Sequence, residues 1–265
     1  MEQLPLPPAK PRNHPARKWI VAVLLLLLPL SIGFYGYLPQ YNSFTAPGEI
    51  VPVQEIGVHG SVRFVYVREG VTRNRYEKLT VSRSYPDAHF TRVDASAGDD
   101  FDDMLDIEQD MKNDTIRHAI DSAAAITDQT GTEEETATKL NALIDETAQY
   151  YGNSIGLMLG IGLYEEERRE DFSRGGQLTI AGTGTLEEDH SVGSVGAIRE
   201  KLQTAEAAGA DIFFVPKDKE TFMYFGPSNE EEALQTADEL RLHLHVVPVA
   251  SLEEAIACLK QLPYT

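Results

Sequence analysis

The sequence contains a single cysteine, Cys258, in 265 residues. No internal disulfide can form, and no cysteine-based metal cluster is available. Cys258 falls in "LEEAIACLKQL" at helical spacing and reads as a small core residue. A Gly-x-x-x-x-Gly-Lys-[Ser/Thr] phosphate loop is also missing, so the chain's own ATP hydrolysis drives none of its chemistry. No segment repeats at a fixed period. Basic residues are scarce, with 23 Lys and Arg against 42 Asp and Glu, a net charge of −19. A body this acidic repels phosphate backbones, which excludes nucleic acid as an expected partner.

The scarcity of basic residues is uneven. Lys10, Arg12, Arg17 and Lys18 give the first 38 residues a net charge of +3, and no Lys or Arg follows until Arg63. Between these basic groups lies "WIVAVLLLLLPLSIGFYGYL", residues 19–38, about 20 residues without a charge. Trp19 at one end and Tyr35 and Tyr37 at the other suit the two membrane interfaces. The excess of positive charge before the span places the N-terminus in the cytoplasm and everything after residue 38 outside. A cleaved signal peptide is the competing reading. The length of the run and the lack of a small-x-small site in "SIGFYGYLPQYNS" favour an anchor.

Residues 1–18 hold five prolines and read as a disordered cytoplasmic tail. Residues 39–60 read as an extended extracellular lead-in. "SVRFVYVREG" and "YEKLTVSRSY" look like two half-buried strands joined by a turn. From Asp99 to Ala125, apolar residues recur at helical intervals after a cluster of aspartates. Thr132-x-x-Glu135 is a capping-box pattern opening a short helix, with Leu140, Leu143, Ile144 and Ala148 on one face. An apolar helix follows Ser154. "QLTIAGTGTL", "ADIFFVP" and "LHLHVVPV" read as strands, and "LEEAIACLKQL" as a closing helix. The expected class is α/β (α+β). His243 and His245 alternate along a strand and could share a face as metal ligands, but no third ligand lies nearby, so surface or core histidines are the expectation.

Two features carry chemistry. On a helix opening near Ala197, Ile198, Lys201, Leu202, Ala205 and Ala208 share one face, and Lys201 is its only charge. Either its stem is buried while the ammonium snorkels to water, or burial lowers its pKa towards the ~7–8 useful in a general base. Such a base needs a nucleophile, and serine paired with lysine is a known arrangement. Ser154 lies between Gly152, which permits an unusual turn, and Gly156, which keeps the approach open. The start of an apolar helix there offers N–H groups to an oxyanion. Taken alone, Ser154 could equally be an N-cap.

From about residue 44 the chain resembles the membrane-anchored, extracytoplasmic Lon-like proteases of Gram-positive bacteria. "GNSIG" falls where that family has Gly-Pro-Ser-Ala-Gly, and "VGSVGAIREKL" matches its Val-Gly-Pro-Ile-Gly-Gly-Ile-x-x-Lys segment. "IAGTGTLEED" and "AEAAGADIFFVP" match nearly residue for residue. The resemblance implies Ser154 as nucleophile, Lys201 as general base and Thr183 as the threonine that hydrogen-bonds the lysine. Gly152, Asn153, Ile155 and Gly156 would form the surroundings. Asn153 and Ile155 replace the family's proline and alanine, and the bulkier Ile155 is expected to narrow the site. Only about 25 residues separate Ile126 from Gly152, too few for the PDZ domain that family members usually carry there.

The implied organisation is a tail (1–18), a transmembrane helix (19–38), a lead-in (39–60) and a Lon-type proteolytic domain (61–265). The expected activity is ATP-independent cleavage of peptides or extended protein chains outside the cell. No metal or cofactor is expected, and a homo-oligomer is possible because related Lon domains form rings. The alternative is a catalytically degenerate domain that binds peptides or proteins at the envelope. "FGPSNE", 225–230, holds the literal Gly-Pro-Ser triplet, but Ser228 follows Lys201 and precedes acidic residues, so it reads as the N-cap of a surface helix.

Overall fold

A computed structural model describes residues 15–129, 131–217 and 226–262. The tail at residues 1–14 lies outside the described residues. The apolar run forms α1 (Pro15–Gly36). Over Lys18–Gly36 its mean hydropathy is 2.2 and none of it is buried. It is long and apolar enough to cross a membrane.

The segment expected as a lead-in is instead an integral strand. β1 (Pro39–Pro52) pairs antiparallel with β2 (Arg63–Asn74) along nearly its whole length. A one-turn 3-10 helix, Val53–Ile56, links them. A second correction concerns "YEKLTVSRSY", expected as a strand. It forms α2 (Arg75–Ser84), because Asn74 caps it by accepting from Glu77 N, and the Glu77 carboxylate reaches back to Arg73 N at 2.6 Å. β3 (His89–Arg92) then pairs with the other side of β1.

α3 (Ala97–Thr127) and α4 (Glu133–Glu146) follow. The Thr132–Glu135 capping box is present with both of its bonds. Leu143 is buried, and Leu140 and Ile144 pack on the core, so the short interval before the serine is part of the same body. Ala148, expected on that face, is exposed because the helix ends at Glu146 and Thr147 takes the buried place.

The remaining elements are α5 (Gly156–Arg168), β4 (Ile180–Gly182), β5 (Thr185–Leu186), β6 (Val192–Gly193), α6 (Ile198–Ala207), β7 (Ile212–Pro216), α7 (Asn229–Leu240), β8 (His245–Val249) and α8 (Leu252–Gln261). The main sheet runs β3-β1-β2-β4-β7-β8, with β5 and β6 as a separate small hairpin. The β2–β4–β7–β8 pairs are parallel. Residues alternate across the sheet as a strand period demands. Ile212 and Phe214 face one core with Ile116, Leu157 and Ala255; Phe213 and Val215 face another with Ile198, Leu202 and Ala233. α3, α5 and α8 cover one face and α6 and α7 the other. The fold is mixed α/β.

β2 pairs with β4 only at Arg63 and Phe64. Beyond Phe64 that edge of β2 has no strand beside it among the described residues. The gap is where the candidate site lies.

Candidate active site

The serine loop is held by backbone geometry. Gly152 adopts φ +82°, a left-handed conformation that side-chain-bearing residues avoid. Ser154 O accepts from Gly184 N at 3.0 Å, and Leu157 N donates back to Gly184 O at 2.9 Å. These bonds dock the loop against the chain joining β4 to β5. A Cβ on Gly156 would sit 2.3 Å from Thr115 Oγ1 and 2.6 Å from Leu186 N. Only glycine allows α5 to approach α3 and β5 so closely. Ser154 is half-buried and is not an N-cap; that position falls to Ile155, which makes no capping bond. The expectation that Ile155 narrows the site is not met. Its side chain is 4% exposed and packs into the core, away from the cavity that Gly152, Asn153 and Ser154 line.

Lys201 is 4% exposed on the stripe formed by Ile198, Leu202 and Ala205. Ala208, expected on that stripe, is exposed because α6 ends at Ala207. The lysine does not snorkel into open water. Its Nζ donates to Thr183 Oγ1 at 3.1 Å, and Thr183 is itself fully buried. Thr183 Oγ1 in turn donates to Ser154 O at 3.5 Å. One hydroxyl can do both, since it carries one donor and two acceptor sites. Burial lowers the Lys201 pKa to about 8, against the opposing pull of Glu69 and, more weakly, Glu108. Among the described residues no hydrogen bond joins the Ser154 hydroxyl to Lys201. Both line one cavity of about 500 Å³.

That cavity also brings in groups not singled out in the sequence. Glu69 on β2 and Glu108 on α3 line it. Glu69 touches solvent, yet it sits inside a concavity walled by protein. That partial desolvation, with Glu108 adding to it, pushes its carboxyl above the usual range, and Lys201 opposes the shift. Burial raises Glu108 in the same way. The Glu108 carboxylate comes within 3.9 Å of where a Gly152 Cβ would lie. Tyr66, Tyr85, Phe101 and Tyr150 add aromatic walls. Nothing local marks these residues. Glu108 is one acid among many in "DDFDDMLDIEQD", and Glu69 directly follows the mostly apolar run "FVYVR" inside β2.

Lys112 on α3 is a second buried lysine. Its Nζ donates to Thr147 O at 2.9 Å and Tyr150 O at 2.7 Å, fixing the chain just before the serine loop. Ser228 caps α7 through a full capping box and does not line the cavity. His243 bonds Glu206 at 2.8 Å, His245 is exposed, and no group able to hold a metal occurs among the described residues. Cys258 packs partly buried on the core.

In comparisons with known proteins, no family model matches the chain and no curated protein matches it.

Proposed function

We propose that the protein is a membrane-anchored, Lon-like serine endopeptidase whose catalytic pair is Ser154 and Lys201. The observation that carries this reading is a buried lysine with a pKa of about 8, fixed by Thr183, sharing a cavity with Ser154. In its neutral form Lys201 donates to Thr183 and still has a lone pair for the serine proton. Ser154 Oγ attacks the substrate carbonyl as Lys201 takes that proton. The lysine then returns it to the departing amine, leaving an acyl-serine that water hydrolyses.

Leu157 N–H is already committed to Gly184 O, so donors to the oxyanion come from the backbone of the cavity-lining residues 152–154. The edge of β2 along Tyr66–Glu69 offers backbone groups to an extended chain. A cavity of about 500 Å³ admits only a few residues of such a chain. Substrates are therefore short or already unfolded. In this reading α1 is retained as an anchor and the domain lies outside the cell.

A second reading, a peptide-binding domain without turnover, is favoured by one observation: the Ser154 hydroxyl makes no bond to Lys201 among the described residues. A fluorogenic peptide library separates the two. Turnover by the native protein that disappears in both Ser154→Ala and Lys201→Ala supports the enzyme. Binding of peptides without turnover supports the alternative.

A further inference from the structure

A short helix in a folded domain is held by the face it buries, because ten residues form a marginal helix by themselves. α2 has ten residues and none of them is fully buried. Its inner side is tied down by polar contacts. Asn74 caps the N-terminus by accepting from Glu77 N, and Lys78 Nζ reaches Asn42 Oδ1 at 3.1 Å and lies 4.8 Å from the Phe90 ring. Its outer side presents Tyr76, 56% exposed, and Leu79, 47% exposed, with Arg83 one turn further on. These are two large, half-exposed apolar side chains beside arginines, and among the described residues the one ring stacked on them is that of Tyr37, against Tyr76.

The position of α2 says what covers it. Tyr76 stacks on Tyr37 with ring centroids 5.8 Å apart. Arg75 lies 4.2 Å over the Tyr35 ring and hydrogen-bonds its hydroxyl. Tyr35 in the last turn of α1 and Tyr37 just after it close the apolar run, where aromatic residues mark the level of lipid headgroups. With α1 across a bilayer, the outer face of α2 is held at that level. Tyrosine and leucine flanked by arginine is the composition of a helix lying in the interface. Arg73, just before the helix, turns instead towards Gly98 at the acidic start of α3.

We propose that α2 is an interfacial helix that seats the domain on the outer surface of the membrane. Tyr76 and Leu79 enter the headgroup–acyl boundary, and Arg75 and Arg83 meet the phosphates of anionic lipids. This goes beyond the catalytic reading and does not depend on it; it depends on α1 being an anchor. Docking fixes how the cavity faces the bilayer, because Tyr85, the C-cap of α2, is one of its walls.

The test uses the full chain in vesicles of phosphatidylcholine and phosphatidylglycerol. Cys258 is first replaced by serine, leaving a background without cysteine. A bimane probe is attached at Leu79→Cys or, as a control, at Leu234→Cys, an equally exposed leucine on α7 at the other end of the sheet. Lipids spin-labelled near the headgroup should quench the probe at 79 several-fold more than the probe at 234. Arg75→Glu with Arg83→Glu should remove most of that difference, and vesicles of phosphatidylcholine alone should reduce it. Protein that floats with the vesicles but shows equal quenching at both positions overturns the docking. Protein that does not float overturns the anchor, and the docking with it. Peptide turnover is measured in parallel, so loss of either result is separable from failure of the catalytic reading.

Discussion

If Lys201 is the base, activity must follow its deprotonation, and burial sets where that occurs. With a pKa of about 8, about one-tenth of the protein carries neutral Lys201 at pH 7 and about nine-tenths at pH 9. An ordinary lysine near ~10.4 would be neutral in only about 0.04% of molecules at pH 7, so burial enriches the reactive form roughly two-hundredfold. The ratio kcat/KM should therefore rise about tenfold from pH 7 to pH 9, with a midpoint near 8. Glu69 is the larger of the two charges holding the lysine protonated, so Glu69→Gln should move that midpoint to lower pH. Stability carries the same signature. Between the folded and unfolded pKa values the unfolded chain binds more protons, so stability rises with pH. Across the interval from about 8 to 10.5 the gain is about 3 kcal/mol, and Lys201→Met should remove it. The assay is a fluorogenic peptide across pH 6–10 with urea melts alongside. A flat profile from pH 7 to 9, or a midpoint above 10, would refute the assignment of Lys201 as a buried base.

Three further outcomes are expected. Ser228→Ala should keep full activity and lose about 1 kcal/mol from the α7 cap, read from the urea midpoint; loss of turnover there would move the nucleophile to the wrong serine. Gly156→Ala forces a Cβ against Thr115 and the Leu186 backbone, so about 1–3 kcal/mol of stability should go, and an unchanged melt would contradict the close approach. Lys112→Met strips the donors from two buried carbonyls before the serine loop and should cost about 2 kcal/mol or more. Lys112→Arg, which restores donors, should recover part of that, and equal losses would show that the carbonyl bonds contribute little.

The features legible in the sequence are those set by nearby residues. The Thr132–Glu135 cap, the apolar stripe around Lys201 and the Ser228 cap each depend on neighbours within about one turn, and they form as read apart from Ala208, which lies beyond the end of α6. The strand at 212–216 is legible because both sheet faces are covered there, which makes it continuously apolar, whereas 245–249 keeps an exposed His245 and is legible from the Val-Val-Pro-Val run that follows it. The α2 segment was not, because Leu79 and Val81 mimic a strand while the deciding feature is a side-chain cap from Asn74. β1 reads locally as an extended lead-in because its partners, β2 and β3, are set by pairing with residues outside its own segment. The same limit applies to the site. Ser154, Thr183 and Lys201 could be picked out by motif, but Glu69, Glu108 and Lys112 meet the serine loop only through the fold. The direction of Ile155, into the core and not into the cavity, follows from the turn at Gly152 and the close contact at Gly156, which its immediate neighbours do not reveal.

The most direct test of the central claim is to trap the acyl-enzyme step. The purified full-length protein is treated with a fluorophosphonate at pH 8.5, digested and mapped by mass spectrometry. The account predicts one adduct, on the peptide carrying Ser154, absent in Ser154→Ala and strongly reduced in Lys201→Ala. An adduct on Ser228, or labelling of Ser154 that is unchanged without Lys201, would contradict it.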